Sequence, residues 1–423
     1  MATTFLHAAD IHLDSPLRGL ERYENAPIDR IRGATRGSLV RLIDLALDRG
    51  VDFVLISGDL YDGTCQDYNA LLFLTAQLGR LRDAGIPAFI IAGNHDAANK
   101  MTRTLSFPDN VHLLKADRSE TKCLDDLGVA IHGQSFARAA VLENLAAAYP
   151  LPIRGLINIG LLHTGLGGAD GHEPYAPCSL DDLRAKGYDY WALGHIHTRG
   201  ILCKDPLVVF PGNTQGRHIR ETGEKGCLLV SLETNGTSES HFQRLDSVRW
   251  ERVRIDVSEA SSESEFLDRA ARRIDDLLAL EADPERLLAA RVEVHGQTSL
   301  HDRFHSASER YINEIRSLAI DRGQGRIWVE KVVVQTKPTR SIVLPDGPID
   351  EIQEIIASLR EDPNAWGELV KDLADLRRKL PSEFLQDSDS PRLDDPRWLG
   401  TLLDQVEPLL FDLLLSPDRS TTS

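Results

Sequence analysis

From Phe5 to about Leu232, short and nearly continuous apolar runs alternate with segments whose apolar residues recur every third or fourth position. The runs are "VDFVLIS" (51–57), "IPAFIIA" (86–92), "VAIHG" (129–133), "LINIGLLH" (156–163), "YDYWALG" (188–194), "LVVFPG" (207–212) and "CLLVSLE" (227–233), after a first one beginning at Phe5. Each is too short for a helix and ends in glycine, proline or polar residues, which predicts buried strands. Between the early runs, "GSLVRLIDLALDRG" (37–50) and "DYNALLFLTAQLGRLRDAG" (67–85) carry helical spacing. Strand–helix alternation predicts an α/β domain, and the short turns between the later strands predict a mixed sheet.

The polar stretch "TNGTSESHFQRLDS" marks an expected boundary near 234–247. Beyond it, "RWERVRIDV", a helix over about 263–281, "LLAARVEVHG", a helix around 303–320 and "RIWVEKVVVQT" predict a β-α-β-α-β unit over 248–337. "KPTRSIVLPDGP" reads as a linker, and 341–423 reads as helical. Its last segment places Trp398, Leu399, Leu402, Leu403, Val406, Leu409, Leu410, Leu413 and Leu414 on a wide apolar stripe broken by Pro408. Such a stripe either packs on its own domain or docks on a partner.

At 423 residues and 42% hydrophobic, the chain can bury a sizeable core in two or three domains. No run is apolar enough to span a bilayer, and the first one lacks the cationic lead of a signal peptide. Five scattered cysteines (Cys65, Cys123, Cys178, Cys203, Cys227) contain no Cys-x-x-Cys pair. They read as reduced thiols in a cytoplasmic protein. The net charge of −17 argues against nucleic acid at face value, but residues 341–423 hold 8 basic and 18 acidic residues and so carry most of it. Arg18, Arg22, Arg30, Arg32, Arg36 and Arg41 enrich the front of the chain, either as a solvated helix face or as a binding feature. Global charge leaves the partner open.

The strand ends are more informative. The first run closes in Asp10 and His12, "VDFVLIS" in Gly58-Asp59 with Asp62 beyond, and "IPAFIIA" in Gly93-Asn94-His95-Asp96. "LINIGLLH" closes in His163, and "YDYWALG" in Gly194-His195-Ile196-His197. In open α/β sheets ligands bind at the carboxyl ends of strands. Residues two apart on extended chain share a side, so Asp10 with His12, and His195 with His197, can converge. Gly58, Gly93 and Gly194 are expected to allow a sharp turn off the strand. Asp10, His12, Asp59, Asn94, His163, His195 and His197 are seven oxygen and nitrogen donors with no thiolate. That is too many for one tetrahedral ion, and it suits two adjacent metals sharing a carboxylate.

With these blocks in this order, residues 1–235 resemble the calcineurin-like metallophosphoesterases. "DIHLDSP", "SGDLYDG" and "PGNTQGRHIRETGEKGCLLV" further resemble the YhaO branch of the bacterial DNA repair exonucleases, relatives of SbcD. The resemblance implies a four-layer sandwich of two mixed sheets flanked by helices, a small α+β capping domain over 248–337 and a helical tail over 341–423. It also implies two divalent ions, manganese foremost, although the ligand types alone admit iron or zinc. One ion would be held by Asp10, His12, Asp59 and His197, and the other by Asp59, Asn94, His163 and His195. His95 would protonate the leaving oxygen, and Asp62 would hold its imidazole; some nucleases of the family carry histidine where this chain has Asp62. The implied partners are DNA, an SbcC-like coiled-coil ATPase docked on the tail stripe, and a second copy of the chain.

Other residues stay open. Asp96 either braces its own turn or takes part in catalysis, and Arg217, His218 and Arg220 either line the site or DNA, or form a hairpin tip. His172 reads as a loop residue and Trp191 as a buried strand residue. Two other functions remain: a phosphoesterase acting on a small nucleotide or other phosphoester, and an inactive scaffold for the ATPase. Seven converging polar residues on buried strand ends weigh against the scaffold.

Overall fold

Successive residues of the central strands are all buried, because both faces of their sheets are covered. A computed structural model describes residues 2–15, 17, 26–62, 68–98, 107–168, 175–233, 238–339, 348–361 and 366–379, with scattered positions between 392 and 410. Its strands are β1 (Ala2–Ala8), β2 (Phe53–Ser57), β3 (Ala88–Ile91), β4 (Val111–Leu113), β5 (Glu120–Leu124), β6 (Val129–Gly133), β7 (Ile157–His163) and β8 (Tyr190–Gly194). They continue with β9 (Gly200–Lys204), β10 (Leu207–Phe210), β11 (Gly226–Glu233), β12 (Ser238–Arg244), β13 (Val248–Asp256), β14 (Leu287–Thr298) and β15 (Ile327–Pro338).

Two six-stranded sheets run β12-β11-β1-β2-β3-β4 and β5-β6-β7-β8-β10-β9. Both are mixed. β1 through β4 are parallel, β11 runs against β1 and β12 against β11, and β6, β7, β8 and β10 are parallel between antiparallel β5 and β9.

The two-residue period of a strand sorts side chains between layers. Phe5, Phe53, Leu55, Phe89 and Ile91 of the first sheet meet Ile159, Leu161, Tyr190, Ala192 and Val209 of the second. Their neighbours Leu6, Val54, Ile56 and Ile90 face outward onto Leu39, Leu42, Leu74 and Leu78 of the helices Ala34–Arg49 and Tyr68–Asp83. On the far side, Leu162, Trp191, Leu193 and Val208 pack with Leu183 of the helix Leu180–Ala185. Helix, sheet, sheet and helix make four layers, each large apolar side chain contributing about 1.5–3 kcal/mol by its burial.

A small polar network sits inside this core. His7 of β1 is fully buried, its Nδ1 2.9 Å from the Tyr190 hydroxyl and its Nε2 3.0 Å from Ser57 Oγ and 3.1 Å from the Leu193 carbonyl. Ser57 Oγ in turn donates to the Ala192 carbonyl. Three strands from both sheets are thus joined one residue below the segments that carry Asp59 and His195.

The expected break over 234–247 is partly a strand. β12 pairs antiparallel with β11, with Leu232 opposite Ser238 and Gly226 opposite Arg244. An edge strand keeps one side in water, so it tolerates the polar sequence that reads as a loop. Farther on, β13, β14 and β15 form a three-stranded sheet in that order. The helix Glu263–Leu280 follows the expected span, whereas the one expected at 303–320 is two, His301–Ser306 and Ser308–Gly323, parted by Ala307 at φ −122°, ψ 38°.

The chain divides into two compact units. One comprises Met1–Arg252, Leu280–Arg291 and Gln324–Glu330, and the other Val253–Ala279, Val292–Gly323 and Lys331–Ser423. The second includes the helices Pro348–Glu361 and Trp366–Lys379. Of the tail stripe, Leu399 is buried, Trp398, Leu402, Leu403 and Leu410 are half-buried and Val406 is exposed; Pro408, Leu409, Leu413 and Leu414 lie outside the described residues, as does His172. Among the described residues no helix is long and apolar enough to cross a membrane.

Candidate metal centre

The carboxyl ends of β1, β2, β3, β7 and β8 lie together, because all five strands are parallel within their sheets and the sheets stack face to face. The backbone joins them directly. Asp10 N–H donates to the Gly58 carbonyl at 3.1 Å and His12 N–H to the Asp59 carbonyl at 3.0 Å. Across the sheets, His195 N–H donates to both oxygens of Asp10 at 3.1 Å. Nine non-glycine residues among those described have φ in the left-handed region, and four are Asp10 (52°), His12 (46°), Asp59 (53°) and His195 (103°). Each costs on the order of 1–3 kcal/mol, so strain is concentrated where polar side chains must turn back over the sheet edge.

Gly58 turns the chain as expected, whereas Gly93 and Gly194 have a different task. Only Gly58 takes a positive φ, at 92°. At Gly93 and Gly194 the constraint is space: a Cβ on Gly93 would stand 2.3 Å from Asp59 Oδ1, and one on Gly194 would stand 1.9 Å from the Ser57 carbonyl oxygen. The bends belong to Asp59 and His195, and these glycines let the neighbouring segments approach.

Side-chain donors gather in three groups. Asp10, His12 and His197 offer ligand atoms within 4.8 Å of one another, as do Asp59, His163 and His195, and as do His12, Asp62 and His95. His12 Nε2 lies 3.1 Å from His197 Nε2 and 3.8 Å from Asp59 Oδ2. His163 Nε2 lies 3.0 Å from Asn94 Oδ1 and 3.5 Å from Asp59 Oδ2. All seven expected donors therefore converge, with Asp59 between the first two groups.

Outer contacts fix two of the imidazoles. His163 Nδ1 donates to the Ser57 carbonyl at 2.9 Å, and His197 Nδ1 to Glu221 Oε1 at 2.7 Å. In both rings the lone pair is left on Nε2, the nitrogen aimed at the cluster. Burial pushes the His12 and His197 imidazoles down, and that of His163 to about 3. Burial, with repulsion from Asp59, pushes Asp10 well up, and burial raises Asp59 to about 6. Facing acceptors with carboxylates between them are a donor set that a divalent cation completes. Oxygen and nitrogen donors without sulfur suit a first-row divalent metal, and the residues present fit two.

His95 stands at the rim with its side chain 38% exposed, within reach of a substrate. Its Nδ1 donates to Asp62 Oδ1 at 3.2 Å and its backbone N–H to Asp59 Oδ1 at 3.0 Å. Burial works against the imidazolium, but the Asp62 hydrogen bond and the charges of Asp59 and Asp62 outweigh it, and the His95 pKa is raised. Asp62 also accepts from Ser15 Oγ at 2.9 Å; burial opposes these bonds, yet they hold its carboxyl at about 2.

Asp96 braces the turn. Its carboxylate accepts from the backbone N–H groups of Leu60, Tyr61 and Gly93 at 2.9–3.1 Å. Arg217 lines the site, with Nη1 3.8 Å from Asp62 Oδ2 and Nη2 donating to Glu221 Oε1 at 3.1 Å, while His218 and Arg220 are exposed. Trp191 is a buried strand residue whose indole N–H donates to the Leu183 carbonyl. Glu221 escapes the motif pattern, because it lies 24 positions from its imidazole in a polar loop.

A family model described as calcineurin-like phosphoesterase matches residues 3–199, and one described as the middle domain of metallophosphoesterase YhaO matches 250–337. The chain is 43% identical over 263 residues to the uncharacterized metallophosphoesterase YhaO of Bacillus subtilis (strain 168), covering 61% of this chain and 64% of that protein. It is 30% identical over 210 residues to the DNA double-strand break repair protein Mre11 of Sulfurisphaera tokodaii, covering 48% and 51%. A similar protein of that name from Methanopyrus kandleri is 25% identical over 398 residues, covering 84% and 82%. The matches to the first two relatives span less than two thirds of their lengths.

Proposed function

We propose, from the match of residues 3–199 to the calcineurin-like phosphoesterase family model, that the chain is a dinuclear-metal phosphodiesterase that degrades DNA in repair. The observation that carries the phosphodiester reading is the pair of oxygen–nitrogen groups meeting at Asp59 with the His95–Asp62 pair beside them. Asp10, His12, Asp59 and His197 would hold one ion, and Asp59, Asn94, His163 and His195 the other. When bound, two divalent cations, manganese by resemblance, would supply a water made nucleophilic at neutral pH and positive charge for the phosphoryl group.

The remaining work falls to side chains. Asp59, aimed by the His95 backbone N–H, stays between the two groups of donors. His95, kept protonated by Asp62, gives its Nε2 proton to the leaving oxygen and stabilises the departing alkoxide. Arg217, anchored on Glu221, adds positive charge to the same rim.

DNA as substrate is supported by the double-strand break repair proteins among the relatives. An SbcC-like ATPase docked on the tail, a homodimer, a capping role for 248–337 and a cytoplasmic setting complete the reading. Purified full-length protein with manganese is expected to hydrolyse bis-p-nitrophenyl phosphate and to shorten end-labelled linear duplex DNA, both stopped by chelation. Ester cleavage with no DNA loss, even with the ATPase present, would move the assignment to a small phosphoester.

The His95–Asp62 hydrogen bond has a pH signature. Because Asp62 favours the imidazolium, Asp62→Asn is expected to lower the His95 pKa and to move the alkaline limb of kcat/KM toward lower pH. An unmoved limb in the variant would deny His95 the acid role.

A further inference from the structure

The loop between β10 and β11 grips His197 at more than one point. Glu221 Oε1 accepts the His197 Nδ1 proton at 2.7 Å, and Lys225 Nζ donates to the His197 carbonyl at 3.1 Å. Glu221 is itself 7% exposed and firmly held: its Oε2 accepts from the Arg217 backbone N–H at 2.7 Å and from Asn213 Nδ2 at 3.0 Å. It also accepts from Arg217 Nη2 at 3.1 Å, and a buried carboxylate held from several sides restrains the ring it accepts from.

The other end of that ring is the consequential one. With Nδ1–H committed to Glu221, His197 presents its Nε2 lone pair toward His12 Nε2, 3.1 Å away. Without Glu221 the imidazole could take either tautomer and could rotate about its side-chain bonds. Arg217, paired to the same carboxylate through Nη2, keeps Glu221 ionised and balances its charge.

We propose that Glu221 is a positioning residue that fixes the tautomer and aim of His197 for one of the two metal ions. The inference rests on the dinuclear reading above and adds to it a residue outside the expected ligands. Outer carboxylates that hold a ligating histidine are generally worth about 10- to 100-fold in metal affinity.

Calorimetric titration of manganese into metal-stripped, full-length protein tests this directly. The wild type is expected to fill two sites. In Glu221→Ala one of the two affinities is expected to fall by about 10- to 100-fold with the other unchanged, and hydrolysis of bis-p-nitrophenyl phosphate should recover when manganese is raised to saturation. Glu221→Gln keeps an oxygen to accept the Nδ1 proton and is expected to fall between the two. It also provides a folded variant if alanine unfolds the loop, with the melting temperature as the check. A purely structural role would lower the melting temperature and leave the affinities alone. Unaltered affinity at both sites in a folded variant, beside an active wild type, would overturn the inference and leave the proposed activity standing. Wild-type protein that neither binds manganese nor hydrolyses the ester would overturn both.

Discussion

His95→Ala is expected to lower turnover on DNA by about 100- to 10,000-fold, the usual contribution of a positioned general acid, while both manganese affinities stay near wild type. The separation is possible because the two tasks of this residue use different atoms. The imidazole carries the proton, whereas Asp59 is oriented by the His95 backbone N–H at 3.0 Å, which alanine retains. The leaving group supplies an internal control. A deoxyribose alkoxide needs a proton as it departs, but p-nitrophenolate is stable without one. The loss should therefore be large on DNA and much smaller on bis-p-nitrophenyl phosphate. Equal losses on both substrates would mean that His95 acts only by stabilising phosphoryl charge, and lost manganese binding would place it among the ligands beside His12 and Asp62, with which it forms the third donor group.

Gly93→Ala should damage the centre without replacing a proposed ligand. The added Cβ would stand 2.3 Å from Asp59 Oδ1 and 2.8 Å from Asp59 N, closer than packed atoms allow, so the carboxylate or the strand end must move. Overpacking of this kind costs about 1–3 kcal/mol, read as a lower denaturation midpoint at an unchanged slope. Because Asp59 lies between both groups of donors, both manganese affinities should fall together, unlike the single-site effect expected at Glu221. Gly200→Ala is the matched control, since its Cβ would meet nothing within 4 Å and its φ is not in the left-handed region. Wild-type manganese binding in Gly93→Ala would show that Asp59 is not the shared ligand.

The chain order already contains much of this centre. Asp10, His12, Asp59, Asn94, His163, His195 and His197 are legible because each follows an apolar run, and a run that ends in a polar ligand is a local pattern. The eight interior strands β1, β2, β3, β6, β7, β8, β10 and β11 are legible for a related reason. Burial on both faces demands an unbroken apolar stretch, and the observed bounds lie within a few residues of the expected ones. The strands with no such stretch are β4, β5, β9 and β12, which are the four edges of the two sheets. Half of an edge strand is wet, so its sequence looks like a loop.

Local pattern along the chain was sufficient for the strands, for the ligand types at their ends and for the likeness to one family of phosphoesterases. Closing the two sheets decided the rest. It paired Glu221 with His197, set Arg217 against Asp62, joined His7 to Tyr190 and Ser57 in the core, and left Gly93 and Gly194 no room for a Cβ. The reason is one of range. Periodicity and turn preference act over a few residues, whereas these contacts join positions up to 183 apart and exist only once β1, β2 and β8 have stacked.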